Sequence, residues 1–169
     1  MFILSNNHQP GKLAHISFDR INSMSNRQAT QYSITPYASV NEYIFGLSPK
    51  KIRKSCGEPY RIVIDNIMEN LTEEREACSL VYGENKLAFI LINKHAEPRV
   101  NGISIYSEGA IAELMTLDND HLAGARYINF RTLGLCIGGL GKKRIPEGRL
   151  VIAYAKDKIS FFDFFASDN

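Results

Sequence analysis

The chain has 169 residues, of which 44% are apolar, 22% are charged and 10% are aromatic, and it contains no Trp. A chain of this length buries about two-thirds of its unfolded surface, so a core can form without disulfides or a structural metal. The longest apolar block runs only from Leu87 to Ile92, whereas a membrane-spanning helix needs about 20 apolar residues. We therefore expect a single globular domain and exclude both a largely disordered chain and a membrane span.

The three cysteines, Cys56, Cys78 and Cys136, are odd in number and widely spaced. This spacing matches neither a disulfide framework nor a pair of metal knuckles, so we expect reduced thiols. Residues 1–12 are too polar for a secretory signal. Together these features predict a cytoplasmic protein.

The first predicted helix follows a long polar stretch. Residues 1–31 read as an irregular extension, and residues 32–169 as a single domain. Ser48 is a typical N-cap residue, Pro fits the first helical position, and Gly57 is a typical residue at a helix end. This punctuation predicts a short helix over Pro49–Cys56.

The middle of the chain has mainly the pattern of strands. The spacing of Ile67, Met68 and Leu71 favours a helical turn, and residues 95–101, which include Pro98, are predicted as a loop. Strands are predicted at residues 61–65, 77–83, 86–93 and 102–106.

The second half repeats this order. Residues 108–117 have helical spacing, and a glycine-rich turn is predicted at residues 138–148. Strands are predicted at residues 127–130, 133–137, 149–154 and 159–165. The order predicts an α+β fold, in which an antiparallel β-sheet carries short helices on one face and is built from two tandem repeats of a helix followed by strands.

The glycine cluster at residues 134–144 is the first place to look for a phosphate-binding loop. A Walker loop ending at Lys142 would need Gly in place of Cys136 and Ser or Thr in place of Lys143. No Gly-x-Ser-x-Gly element is present. The four histidines do not have the spacing of metal ligands; they are His8, His15, His95 and His121. The sequence therefore predicts no catalytic site, metal or cofactor.

Charge is segregated along the chain. Residues 1–60 carry seven Lys or Arg and three Asp or Glu, residues 61–120 carry five and eleven, and residues 121–169 carry eight and four. Such blocks are commonly solvated faces, and this interpretation stays open beside a sharper one, an acidic surface that attracts a basic protein. Nucleic acid fits less well because the basic residues are scattered and the pI is about 8.4. The candidate contact residues are Asp65, Glu69, Glu73, Glu74 and Glu76, with Asp118 and Asp120 as a second cluster.

Two stretches resemble small bacterial α+β proteins. Residues 43–59, YIFGLSPKKIRKSCGEP, are similar to an opening found in the β-lactamase-inhibitor-like fold and in immunity proteins encoded beside polymorphic toxins. Residues 127–140, YINFRTLGLCIGGL, resemble a strand pair of such immunity proteins. The resemblance implies an immunity protein that occludes the active site of a cognate toxin, delivered by contact-dependent inhibition or type VI secretion. A basic nuclease domain is one toxin class that would suit an acidic surface.

A small-ligand-binding or regulatory domain is the alternative hypothesis. Its pocket would be lined by Phe89, Tyr106, Phe130 and Tyr154, which are also typical core residues. An open apolar pocket would favour ligand binding. A closed core with a one-sided acidic face would favour the immunity protein.

Overall fold

The computed structural model describes residues 29–66, 70–93, 95–139 and 150–167. Within these residues the chain forms two β-sheets and three α-helices, and no helix is long and apolar enough to cross a membrane. The strands are β1 (Thr30–Thr35), β2 (Ser39–Val40), β3 (Tyr43–Ile44), β4 (Arg61–Asp65), β5 (Asn70–Arg75), β6 (Cys78–Gly83), β7 (Lys86–Ile92), β8 (Ala96–Val100), β9 (Ile103–Ser104), β10 (Leu122–Ala123), β11 (Tyr127–Phe130), β12 (Leu135–Gly138) and β13 (Leu150–Tyr154). The helices are α1 (Pro49–Cys56), α2 (Ala110–Leu117) and α3 (Ile159–Ala166).

The larger sheet consists of two antiparallel meanders. Its strand order is β10-β11-β12-β13-β7-β6-β5-β4, and the meanders β4–β7 and β10–β13 meet where β13 pairs with β7. Helix α1 precedes the first meander and α2 precedes the second. The α+β class is thus confirmed, and the chain follows the predicted order of a helix and then strands, twice.

The smaller sheet has the order β3-β2-β1-β8-β9. Its β1 and β8 are parallel, whereas the other pairs are antiparallel. The segment predicted as a loop, residues 95–101, therefore contains strand β8. Its partner β1 begins at Thr30, inside the segment predicted as an irregular extension. Local sequence does not reveal this pairing, because the two strands are far apart along the chain.

The centre of the larger sheet is buried on both faces. Val151 and Ala153 of β13 join the main core, which includes Ile52 of α1 and Leu114 of α2. The alternate β13 residues Ile152 and Tyr154 belong to a second cluster with Phe162 of α3. A strand that is covered on both faces is apolar throughout. The helices consequently lie on both faces of this sheet, rather than on the single face expected.

Helix α1 begins and ends where the sequence predicts. Ser48 has the extended backbone of an N-cap, with φ −73° and ψ 156°, and Pro49 follows at the start of the helix. Gly57 ends it at φ 80°, a conformation that a residue with a Cβ adopts only with strain. Ile52 is fully buried, so the helix is fixed to the core by its one apolar face.

Two further predictions are wrong. Residues 159–165 form helix α3 instead of a strand, and Phe162 and Ala166, four residues apart, are its buried residues. Leu71 lies in strand β5 rather than in a helical turn. Several predicted features lie outside the described residues. These are residues 1–28, Ile67, Met68 and most of the predicted glycine-rich turn.

Candidate functional site

The acidic residues expected to form one contact surface have different environments. Asp65 on β4 and Glu76 in the turn after β5 are exposed, and the side chain of Glu74 on β5 is 27% exposed. Asp120, before β10, is 66% exposed. Glu69 lies outside the described residues. These carboxylates are the predicted ones that solvent, and hence a partner, can reach.

The prediction that Glu73 belongs to the contact surface is wrong, because its side chain is fully buried. Its carboxylate accepts hydrogen bonds from Arg53 Nε at 2.7 Å, Arg75 Nη2 at 2.9 Å and the Tyr82 hydroxyl at 3.1 Å. Burial and the Glu73 charge raise the pKa of Tyr82, which keeps its hydroxyl protonated as a donor. Glu73 therefore connects α1 to the larger sheet and does not reach a partner.

Arg75 extends this buried network to the end of α1. Its Nη1 and Nη2 atoms donate to the carbonyl oxygens of Cys56 and Gly57, at 3.3 and 2.9 Å. Its guanidinium also lies 5.4 Å from the centre of the Tyr43 ring, a cation–π distance. The network fixes the position of β5, which carries Glu74 on its opposite face.

The prediction that Asp118 belongs to the contact surface is also wrong, because this residue is fully buried. One carboxylate oxygen accepts the backbone N–H of Asp120 at 3.1 Å. The other accepts the N–H groups of Thr132 and Leu133, at 2.8 and 3.3 Å. Asp118 thus holds the end of α2 against the turn between β11 and β12, and its role is structural.

Asp120 belongs to a different polar network. Arg131 donates to Asp120 at 3.2 Å and makes a two-bond contact with the carboxylate of Asp163, at 3.0 and 3.1 Å. The buried amide of Asn129 also donates to Asp163 at 2.7 Å and accepts from the Tyr154 hydroxyl. This chain of contacts joins α3 to the larger sheet.

The two predicted acidic clusters do not form one surface. Asp65 and Glu74 lie on β4 and β5, whereas Asp120 precedes β10 at the other end of the larger sheet. Four strands separate β5 from β11, which corresponds to about 24 Å at about 4.8 Å per strand. Only the cluster at the β4–β5 end is a candidate contact surface.

Two features of this end are not predictable from the sequence. Glu58, with a side chain that is 76% exposed, lies between α1 and β4. Tyr60, Ile62 and Ile64 are also exposed, by 71%, 45% and 65%. The run Arg61–Asp65 was recognisable as a strand, but its place at the end of a sheet depends on long-range pairing.

Two cavities among the described residues each include one of the predicted lining residues, and neither is the predicted pocket. One of about 190 Å³ lies between α3 and the larger sheet and is lined by Phe89 and Cys136 among others. The second, of about 460 Å³, lies beside α2 and is lined by Tyr106. Phe130 and Tyr154 are fully buried core residues. The four predicted lining residues therefore do not line one pocket, although Phe89 of β7 and Tyr154 of β13 are paired across the two strands.

The cysteines are free thiols, with Cys78 and Cys136 buried and Cys56 partly exposed. Burial raises the pKa of Cys136 to about 12, so its thiol is protonated at neutral pH and is a poor nucleophile. Over the ranges that the structure describes, no group of three His, Cys, Asp or Glu side chains could hold a metal ion.

Comparison with known proteins gives no match to a family model, a curated protein or a solved structure. The resemblance of residues 43–59 and 127–140 to immunity proteins stays a prediction.

Proposed function

We propose that this protein is an immunity protein, which binds a cognate bacterial toxin and covers the toxin's active site. The observation that carries the proposal is the group of accessible carboxylates at the β4–β5 end of the larger sheet, which we call the acidic end. It comprises Glu58, Asp65, Glu74 and Glu76.

The acidic end has the properties of a surface for a basic partner. An excess of negative charge accelerates the encounter with a basic protein and disfavours acidic ones. The four carboxylates outnumber Arg61, the exposed cation that strand β4 also carries. The backbone here is also held in place, since the Tyr60 N–H donates to the Glu74 carbonyl at 3.1 Å and Arg75 binds the end of α1. Because the backbone that carries these charges is held in place before binding, less backbone conformational entropy is lost in the complex. A nuclease toxin, whose cleft must attract phosphates, would present the complementary positive charge.

The test is co-expression with the toxic C-terminal domain encoded by the adjacent gene. We expect growth to be rescued and the two proteins to form a complex of nanomolar Kd, which corresponds to about −12 kcal/mol. The double variant Glu74→Lys with Glu76→Lys should lower the association rate at least tenfold at low salt. Its matched control is Glu108→Lys with Glu113→Lys, which reverses two exposed charges beside and on α2.

Two results would contradict the proposal at different levels. Absence of both rescue and a tight complex would exclude an immunity protein for that toxin. A complex that both double variants weaken equally would retain the function but remove the acidic end as the contact surface.

The alternative, a small-ligand-binding domain, is favoured by the 190 Å³ cavity beneath α3. Its lining is aromatic and aliphatic apart from the Cys136 thiol, so it suits a small apolar molecule. A ligand in this cavity would shift the NMR signals of Ile152 and Phe162, whereas a toxin would shift those of Glu74 and Glu76. The location of the shifts separates the two hypotheses.

A further inference from the structure

Strand β4 forms an open end of the larger sheet. In the described part of the chain it pairs only with β5, and all five of its residues are exposed. An edge strand presents a row of backbone N–H and C=O groups that a further strand can bind. Three adjacent β4 residues are β-branched and apolar, namely Ile62, Val63 and Ile64, with exposures of 45%, 36% and 65%.

The other sheet ends in the described residues differ from β4. The smaller sheet ends in β3 and β9, and the larger sheet ends in β10 on its far side; each of these strands has two residues. Very short edge strands, Lys and Pro are devices that prevent edge-to-edge pairing. Strand β4 has five residues and contains neither Lys nor Pro. It is therefore the end on which a further strand fits.

The sequence of β4 complements itself. It reads Arg-Ile-Val-Ile-Asp, with opposite charges at the two ends and Val63 at the centre. If two copies pair antiparallel about Val63, Arg61 of each copy lies opposite Asp65 of the other, and Ile62 lies opposite Ile64. Directly opposed residues on one face interact, and opposite charges or two β-branched residues stabilise the pair.

We propose that the protein forms a symmetric homodimer by antiparallel pairing of β4 with β4 of a second copy. The two-fold axis passes through the Val63 pair, and the two larger sheets become one continuous sheet. The same patch serves both copies, as symmetric dimers require.

The charges select this register. Pairing about Ile62 would place Arg61 opposite Val63 and leave Asp65 beyond the apolar pairs. A shift by a single residue is also excluded. Two symmetric copies would then have opposed side chains on different faces of the sheet, and these side chains could not interact. Only the pairing about Val63 brings two Arg–Asp pairs and two Ile–Ile pairs into contact. Arg61 already lies 3.5 Å from Glu74 of its own chain, so the carboxylate of a second copy would approach a guanidinium on the same face.

The contact is small, so we expect a dissociation constant in the micromolar range. Sedimentation equilibrium of the full chain between 1 and several hundred micromolar should show a mass rising from 19.0 kDa towards twice that value. Val63→Lys, which places two cations on the two-fold axis, should weaken dimerisation at least tenfold.

A charge-reversal pair tests the register. Arg61→Asp and Asp65→Arg each oppose like charges in the homodimer and should each weaken it at least tenfold. When the two variants are mixed, every charged pair between unlike chains is again Arg with Asp, so dimers should reappear as heterodimers. The matched control is Arg126→Asp, which reverses an exposed charge near the far end of the sheet and should leave dimerisation unchanged.

The outcomes are decisive when far-UV circular dichroism shows each variant folded. A wild-type chain that stays monomeric at several hundred micromolar overturns the dimer, as does a dimer that Val63→Lys leaves intact. A mixture of the two charge variants that remains monomeric overturns the register. These measurements contain no toxin, so their outcome does not depend on the immunity function. In the dimer Asp65 lies opposite Arg61 of the second copy, which leaves Glu58, Glu74 and Glu76 as the carboxylates of the acidic end for a toxin.

Discussion

Glu73 is the side chain whose removal we expect to destabilise the protein most directly. Glu73→Ala would leave the Arg75 guanidinium, which is only 7% exposed, without its carboxylate. An uncompensated buried charge costs about 3–5 kcal/mol. We expect a loss of this size in the free energy of unfolding, measured by urea denaturation.

Glu74→Ala is the matched control for this prediction. Glu74 is the next residue on the same strand, and it pairs with the 65% exposed Arg61. Exposed ion pairs contribute about 0–1 kcal/mol, so this variant should unfold almost as the wild type does. Equal losses in the two variants would show that the buried network does not set stability.

The contrast between these neighbours explains why the contact surface was only partly predictable. In sequence, Glu73 and Glu74 are equivalent members of an acidic run. In a strand, adjacent side chains point to opposite faces, and the pairing of Glu73 with Leu80 of β6 puts Glu73 on the core face. Sequence alone does not give the register that decides which of the two is buried.

Helix α3 covers one face of the larger sheet through a single apolar stripe. Phe162 is 2% exposed and its ring stacks on Tyr154 with centroids 4.5 Å apart, whereas Phe164 is 64% exposed. Phe162→Ala should lower the free energy of unfolding by about 3–5 kcal/mol, because it removes a packed aromatic ring and leaves a cavity. Phe164→Ala, the same chemical change on the exposed side, should alter it by less than about 0.5 kcal/mol. Thermal or urea unfolding measures both, and a larger loss for Phe164→Ala would mean that the helix packs by another face.

Elements whose signals are local were predicted, and those that depend on distant partners were not. Helix α1 has its capping residues and proline in sequence, and its bounds match the structure. Strand β8 contains Pro98, a residue that favours a loop when only the local sequence is considered. The segment is a strand because it pairs with the distant β1. The α3 segment has four phenylalanines, which also suit a strand, and only its packing on the sheet selects the helical spacing.

At the scale of the whole molecule, the two meanders share one core. Ile90 of the first meander and Leu135 of the second belong to the same buried cluster, and Ala153 of β13 pairs with both of these residues. Neither meander can expose its side of this cluster without exposing apolar surface of the other. The repeated order of elements therefore does not imply two independently stable halves, because units that share a core unfold together.

The buried thiols provide a probe for each half. Cys78 lies in β6 of the first meander and Cys136 in β12 of the second, both at most 2% exposed. In pulsed alkylation over a urea gradient, we expect both thiols to become reactive at the same midpoint. Leu135→Ala should move both midpoints downward together, since removing a buried leucine side chain costs about 2–5 kcal/mol. If Cys136 became reactive while Cys78 stayed protected, the second meander would unfold separately and the shared core would not couple the halves.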